Sequence, residues 1–337
     1  MRILLITLLV LPVLAPVLDA QTPAMSDIDR MRIAEAFRLA EAIGDRLWPD
    51  WDKAPFAVLL VTSEREFLIR HPKPSDDFTF VDEDALLKSK VWARKRRYEP
   101  NLLATFPAVG GVPTVVIGQA ENTSAKTSTR WVITLLHEHF HQLQYSRPGY
   151  YAEVEALGLA RGDQTGMWML NYPFPYARPE IREQFSVMSK LLAQALRPAK
   201  KADFAKRLRA YLDAKEGFRS RLAPDDYKYF SFQVWQEGIA RYTEYRMAKL
   251  AAAEYKPSRE FRNLKDYSPF EQEANAILQR IERELISTQL DEAKRVAFYT
   301  VGAAEGLILD LANPAWRKYY FEQKFSLDKH LLARKGE

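Results

Sequence analysis

The segment Leu135-Leu136-His137-Glu138-His139-Phe140-His141-Gln142 sets a cluster of ionisable side chains inside an otherwise apolar helical run. A helix turns by about 100° per residue, so His137 and His141 project from one face, one turn apart. Two imidazoles at that spacing can bind a single zinc ion. Glu138, about 100° round from His137, can reach a water on the metal without itself being a ligand. Zinc lowers the pKa of such a water to about 7, and the carboxylate can take its proton as the oxygen attacks a carbonyl carbon. Burying two histidines and a glutamate on an apolar helix is costly unless something satisfies them, and zinc would. The pattern is specific in this chain, which has five histidines among 337 residues, with three of them at 137, 139 and 141. His139 points about 200° away from His137 and is expected to pack or to support a ligand. No role is expected for His71 or His330.

Two histidines leave zinc under-coordinated, so a third protein ligand and an open position are expected. Downstream, Trp235-Gln236-Glu237-Gly238-Ile239-Ala240-Arg241-Tyr242 lies on an amphipathic segment, and together with H-E-x-x-H it resembles the gluzincin metallopeptidases. Many members of that clan take their third ligand from a downstream E-G-x-A-x-Y helix. The resemblance therefore implies Glu237 as the ligand, with Gly238 letting the metal helix pack closely. The interval from His141 to Glu237 is longer than in thermolysin-like members, which leaves Glu153 and Glu155 as competitors for the same role. Arg241 stands where those relatives carry an acidic residue that orients a histidine, so the orienting group is open. The resemblance further implies that Tyr299 is an oxyanion donor, since aminopeptidase-like members place a tyrosine at a comparable distance beyond the glutamate. Gly118-Gln119-Ala120-Glu121-Asn122 is a weak match to their substrate-amine segment, and an ordinary strand-to-helix loop is the better reading. The loop from Trp168 to Tyr176 either borders the cleft or packs between helices.

Other chemistries are narrowed by composition. Cysteine is absent, which removes thiol nucleophiles, thiolate zinc sites and disulfides. No G-x-S-x-G elbow, phosphate-binding glycine loop or dinucleotide fingerprint occurs. The net charge of +5 is scattered along the chain, which argues against nucleic acid as the main partner. The basic clusters Arg94 to Arg97 and Lys200 to Lys206 read as solvated helix faces. Arg2, the apolar run Ile3 to Leu18 and Asp19-Ala20 form the pattern of a secretory signal peptide cleaved after Ala20. The expected location is therefore exported, periplasmic or secreted, with no stable membrane span after cleavage.

The expected fold is α+β and predominantly helical, zincin-like in the gluzincin manner. A sheet-containing part with the metal helix (21–145) precedes a helical C-terminal lobe (146–337) in one catalytic unit. A helix is expected over 26–46, strands at 56–61, 67–69 and 114–118, and a basic helix around 85–97. The metal helix runs from Thr127 or Ser128 to Tyr145, and further helices fall at 180–196, 202–216, 227–252, 269–288 and 300–311. The strand at 114–118 is expected to align a substrate by backbone pairing. The reading is an exported zinc metallopeptidase acting on peptides or proteins. Its rival is a non-catalytic envelope protein of the same fold, braced by zinc.

Overall fold

Ser26 opens the first helix because its hydroxyl accepts the Asp29 amide, while Asp27 and Asp29 put negative charge where the helix dipole favours it. Helix α1 (Asp27–Leu47) buries Ile33, Phe37, Ile43 and Leu47 along one stripe. The computed structural model describes residues 24–197 and 200–332, without the side chains of 201, 202 and 332. The apolar N-terminal run and the cleavage point after Ala20 lie outside the described residues.

Strands β1 (Val58–Val61), β2 (Arg65–Ile69), β3 (Thr79–Asp84), β4 (Ser89–Lys95), β5 (Leu103–Val109) and β6 (Val112–Gly118) form one mixed sheet in the order β3-β4-β2-β1-β6-β5. β1 and β6 are parallel, and every other neighbouring pair is antiparallel. Alternate residues face opposite sides. Val58, Leu60, Phe67, Ile69, Val115 and Ile117 join the main core, whereas Leu59, Val61, Leu68 and Val116 meet Phe78 and Val109 in a smaller cluster on the other face. β6 is therefore interior to the sheet, paired on both sides, and has no free edge for a substrate strand. The outer strand on that side is β5.

Residues 85–97 do not form the basic helix that their composition suggests. After a turn with Lys88 at φ +50°, they run as β4 between β2 and β3. Val91 and Ala93 face the core on a period of two, and cross-strand pairing on both sides outweighs the helical preference of the lysines and alanine. Arg94 is accordingly no solvated charge. It is buried, with Nε 2.6 Å from Glu66 Oε2 and Nη1 2.9 Å from Asp77 Oδ2, over the Phe78 ring.

The remainder is helical: α2 (Ser128–Tyr145), α3 (Tyr150–Glu155), α4 (Trp168–Asn171), α5 (Pro179–Leu196), α6 (Lys201–Arg219) and α7 (Pro224–Gln233). One π-turn (Val234–Gly238) joins α7 to α8 (Ile239–Glu254) without a break, so the expected 227–252 helix is continuous but widened by one π-turn in its middle. There follow α9 (Arg259–Arg262), α10 (Phe270–Ser287), α11 (Leu290–Ala293), α12 (Val296–Ala312), α13 (Trp316–Tyr319) and α14 (Asp328–Leu332). The molecule is thus α+β and mostly helical, and a single core cluster runs from the sheet through α2 into these helices. No described helix is long and apolar enough to cross a membrane.

Helix α2 lies between the sheet and helices α1, α8 and α10 and is buried along almost its whole length. Thr127 occupies the N-cap position but makes no side-chain cap bond. The cap comes from far along the chain instead: Asp266 accepts the Ser128 amide at 2.9 Å and the Ser128 hydroxyl at 2.7 Å, and also takes Arg32 at 3.0 Å. At the other end, the Gln142 amide donates to the carbonyls of Ala57 and Pro113, both at 2.9 Å, which fixes α2 against the starts of β1 and β6.

Candidate metal centre

His137, His141 and Glu237 come together as α2 meets the π-turn. Each offers one ligand atom, and these atoms all lie within 4.8 Å of one another. His141 Nε2 is 3.5 Å and His137 Nε2 is 3.9 Å from the same oxygen, Glu237 Oε2. A tetrahedral zinc with bonds of about 2.0–2.1 Å has ligand-to-ligand edges of about 3.3 Å, so the spacing suits shared coordination better than direct hydrogen bonding. Both histidines are buried, while the Glu237 side chain keeps 21% of its exposure, so the centre opens to solvent on the side of the carboxylate.

The outer nitrogens of both rings are already committed. His137 Nδ1 lies 2.7 Å from Glu244 Oε1, and a carboxylate can only accept there, so Nδ1 carries the proton and Nε2 presents its lone pair. Arg280 from α10 holds the other Glu244 oxygen at 3.0 Å. The His141 tautomer follows from a longer chain of bonds. Tyr320 donates its hydroxyl hydrogen to the Trp235 carbonyl, and the Gln144 amide group donates to the Tyr320 oxygen and to the Gln236 carbonyl. This orients Gln144 Oε1 to accept from His141 Nδ1 at 2.7 Å, the nearer of two contacts there, with Gln236 Nε2 at 3.3 Å, and turns Nε2 towards the centre. Histidine ligands characteristically have their outer N–H held in this way. The donor set of two bare imidazole nitrogens and one carboxylate oxygen fits zinc.

Without a metal, the ligands pair by charge among themselves, with a proton on His141 that a cation would displace. Burial alone would push the Glu237 carboxyl up, but His141 and then His137 outweigh it and hold it near 2. Burial likewise works to lower the His141 imidazole, yet Glu237, with Glu138 beyond it, raises it to about 9. Glu244, despite burial, is held near 2 by its bond to His137 and by Arg280.

Glu138 is 6% exposed, and the Thr105 hydroxyl from β5 lies 2.8 Å from its Oε2. Tyr145, one turn beyond His141, stacks on that ring at 6.1 Å and points its hydroxyl towards Thr105 O at 3.3 Å. Tyr299 from α12 lies near the same centre, close enough for Glu237 to act on its phenol, and its hydroxyl accepts from Arg295. Burial, reinforced by Glu237, pushes the Tyr299 phenol well above its ordinary range.

The π-turn brings α12 this close through a glycine pair. A Cβ on Gly238 would sit 2.5 Å from Gly302 Cα, and one on Gly302 would sit 2.4 Å from Val234 O. Gly238 therefore admits α12, not the metal helix as expected. Single π-turns inside helices recur at functional sites.

No family model, curated protein or solved structure matches the chain.

Glu153 and Glu155, the alternative ligands, are exposed on α3, and Glu153 pairs with Lys324 at 2.7 Å. His139 packs as expected, stacked on Phe56 at 3.6 Å with its Nδ1 2.8 Å from Gln142 Oε1, and burial lowers its pKa to about 3. Gln119 and Glu121 are engaged by Asp29 and Arg32, as befits a connecting loop. The 168–176 loop packs between helices, with Trp168 on Phe232, Tyr172 on Tyr229 and Phe174 on Phe298. His330 is buried against Trp316. Sequence reasoning missed Thr105, Gln144, Glu244 and Arg295. Glu244 alone carried a signal, lying two helical turns beyond Glu237 on the same face.

Proposed function

We propose that this chain is a zinc-dependent metallopeptidase of gluzincin-like fold, exported to the periplasm or secreted, that hydrolyses peptide bonds in peptides or proteins. The observation that supports this most is the convergence of two bare, orientation-locked imidazole nitrogens and the Glu237 carboxylate beside Glu138. Zinc bound by His137, His141 and Glu237 would supply a water acidified to a pKa of about 7 and a Lewis acid for the carbonyl. Glu138 is the general base of this proposal, since a free carboxylate beside the ligands, steered by Thr105, can take a proton and return it to the departing amine. Tyr299 is the oxyanion donor. Its phenol stays protonated at neutral pH, and its oxygen accepts from Arg295. The outer strand β5, which carries Thr105, is the sheet edge on that side; its Thr105 carbonyl is taken by Tyr145, and an extended peptide would pair with the rest of that edge.

The test is Glu138→Gln, which keeps shape and hydrogen-bonding reach but cannot accept a proton. Turnover of any peptide cleaved from an unbiased library is expected to fall by at least about 10²-fold. Zinc content and thermal stability stay near wild type, because the three ligands are untouched. Hydrolysis undiminished by the change would sink the mechanism. A wild type that binds zinc yet cleaves nothing would favour the zinc-braced, non-catalytic reading.

A further inference from the structure

Three arginines border the centre, and two of them are neutralised. Arg280 meets Glu244 at 3.0 Å and Arg241 meets Glu284 at 2.7 Å. Arg295, at the start of α12, is different. Its hydrogen-bond partner is the Tyr299 hydroxyl, and among the described residues no carboxylate stands at ion-pair distance. Its Nε and second amino nitrogen are neither hydrogen-bonded to described residues nor sealed from water, whereas Arg241 Nε and Arg280 Nε are buried. Arg295 is the N-cap of α12, with Tyr299 one turn and Gly302 two turns further on, and Gly302 packs against Gly238 beside Glu237, so the guanidinium lies on the Glu237 side of the centre.

Charge bookkeeping gives this arginine a meaning. Zinc would balance Glu237 and Glu138, and Arg280 balances Glu244, which leaves the loaded centre with the single positive charge of Arg295. A half-buried guanidinium with free N–H groups is a receptor for a planar anion, and its fork matches a carboxylate bidentately.

We propose that the centre acts on peptides with a free C-terminal carboxylate, which Arg295 holds, so that the bond cleaved is the one next to the C-terminus. The proposal rests on the metallopeptidase reading of the same centre. The Arg295–Tyr299 hydrogen bond and the close packing of Gly302 on Gly238, next to Glu237, keep the guanidinium on the Glu237 side of the centre. One residue of extended chain spans about 3.5 Å, and a bidentate contact adds about 3 Å. In the reaction the C–N bond breaks, a water oxygen bonds to the carbonyl carbon, and a water proton passes to the nitrogen. The products are a peptide shorter by one residue and a free amino acid.

The experiment uses one random peptide library synthesised twice, as C-terminal acids and as C-terminal amides. Mass spectrometry of digests by the zinc-loaded protein reads cleavage. Equilibrium dialysis of both pools against zinc-loaded Glu138→Gln protein reads binding without turnover. Acids are expected to be cut and bound roughly 10- to 100-fold better than amides, with single amino acids released. Arg295→Gln should erase the preference, and Arg295→Lys, which keeps the charge but loses the fork, should restore part of it. A binding preference that depends on Arg295 without any cleavage would support the carboxylate site while removing the peptidase reading. Equal handling of acids and amides by the wild type would overturn the proposal and leave that reading intact. So would Arg295 variants that slow both pools alike, since Arg295 would then serve Tyr299 alone. No cleavage together with no binding preference would overturn both.

Discussion

Two clusters of buried charge lie in this molecule, and they differ in where the positive charge comes from. Beneath α6, α12 and α14, Lys215 Nζ stands 2.6 Å from Glu305 Oε1 and 2.6 Å from Asp328 Oδ1, while Tyr227 donates to Asp328 at 2.8 Å. That cluster carries its own cation, shared between the two carboxylates, although Glu305 Oε2 has no partner. At the centre on α2, two imidazole nitrogens and a carboxylate oxygen converge with no lysine or arginine between them, and their outer atoms are tied down by Glu244 and Gln144. Burial of polar groups alone therefore does not mark a functional site. What sets the centre on α2 apart is that its three ligand atoms converge on one point.

The comparison breaks most sharply at Glu237. Glu237→Ala should weaken zinc affinity by well over about 100-fold, beyond the range of changes behind the ligands, while Glu155→Ala leaves it unaltered. Zinc stoichiometry after dialysis against a chelator reads both. The reverse result would move the third ligand to α3. Lys215→Met probes the other cluster, where removing one partner strands the buried Glu305 carboxyl. Urea unfolding should show a loss of about 3–5 kcal/mol with zinc affinity retained. Zinc loss from the folded Lys215→Met protein would mean that the two clusters are one cooperative unit.

Smaller effects refine the centre itself. Tyr299→Phe should lower kcat by roughly 10²-fold, leaving zinc content and melting temperature near wild type. An unchanged kcat would return Tyr299 to packing. Glu244→Gln keeps a hydrogen-bond acceptor for His137 but loses the charge, and zinc titration should show an affinity lower by about 10- to 100-fold. An unaltered affinity would leave Glu244 as a partner of Arg280 only.

Much of the centre was legible because helical spacing is local. Four residues between His137 and His141 fix a common face wherever the helix lies, and Glu237 stood out through its glycine and tyrosine neighbours. The groups behind them were not legible, since Thr105, Gln144 and Arg295 are ordinary residues made relevant by contacts far along the chain. Gln144, for example, acts only because Tyr320 fixes which way its amide points. Residues 85–97 were misread for the same reason. Their side chains favour a helix, and pairing with β2 and β3 decides otherwise. The π-turn at Val234–Gly238 has no local signature beyond Gly238, whose partner Gly302 belongs to another helix.

The cap on α2 carries a consequence for when the centre can exist. Ser128 waits for Asp266, separated from it by 138 positions, and His137 waits for Glu244, separated by 107. Such distant closures come late, because loop entropy must be spent before they return anything. A chain emerging from its N-terminus therefore displays the two histidines long before it owns the residues that aim them. If the centre takes zinc as proposed, capture would wait for near-complete assembly, since a half-made chain has two imidazoles and no trap.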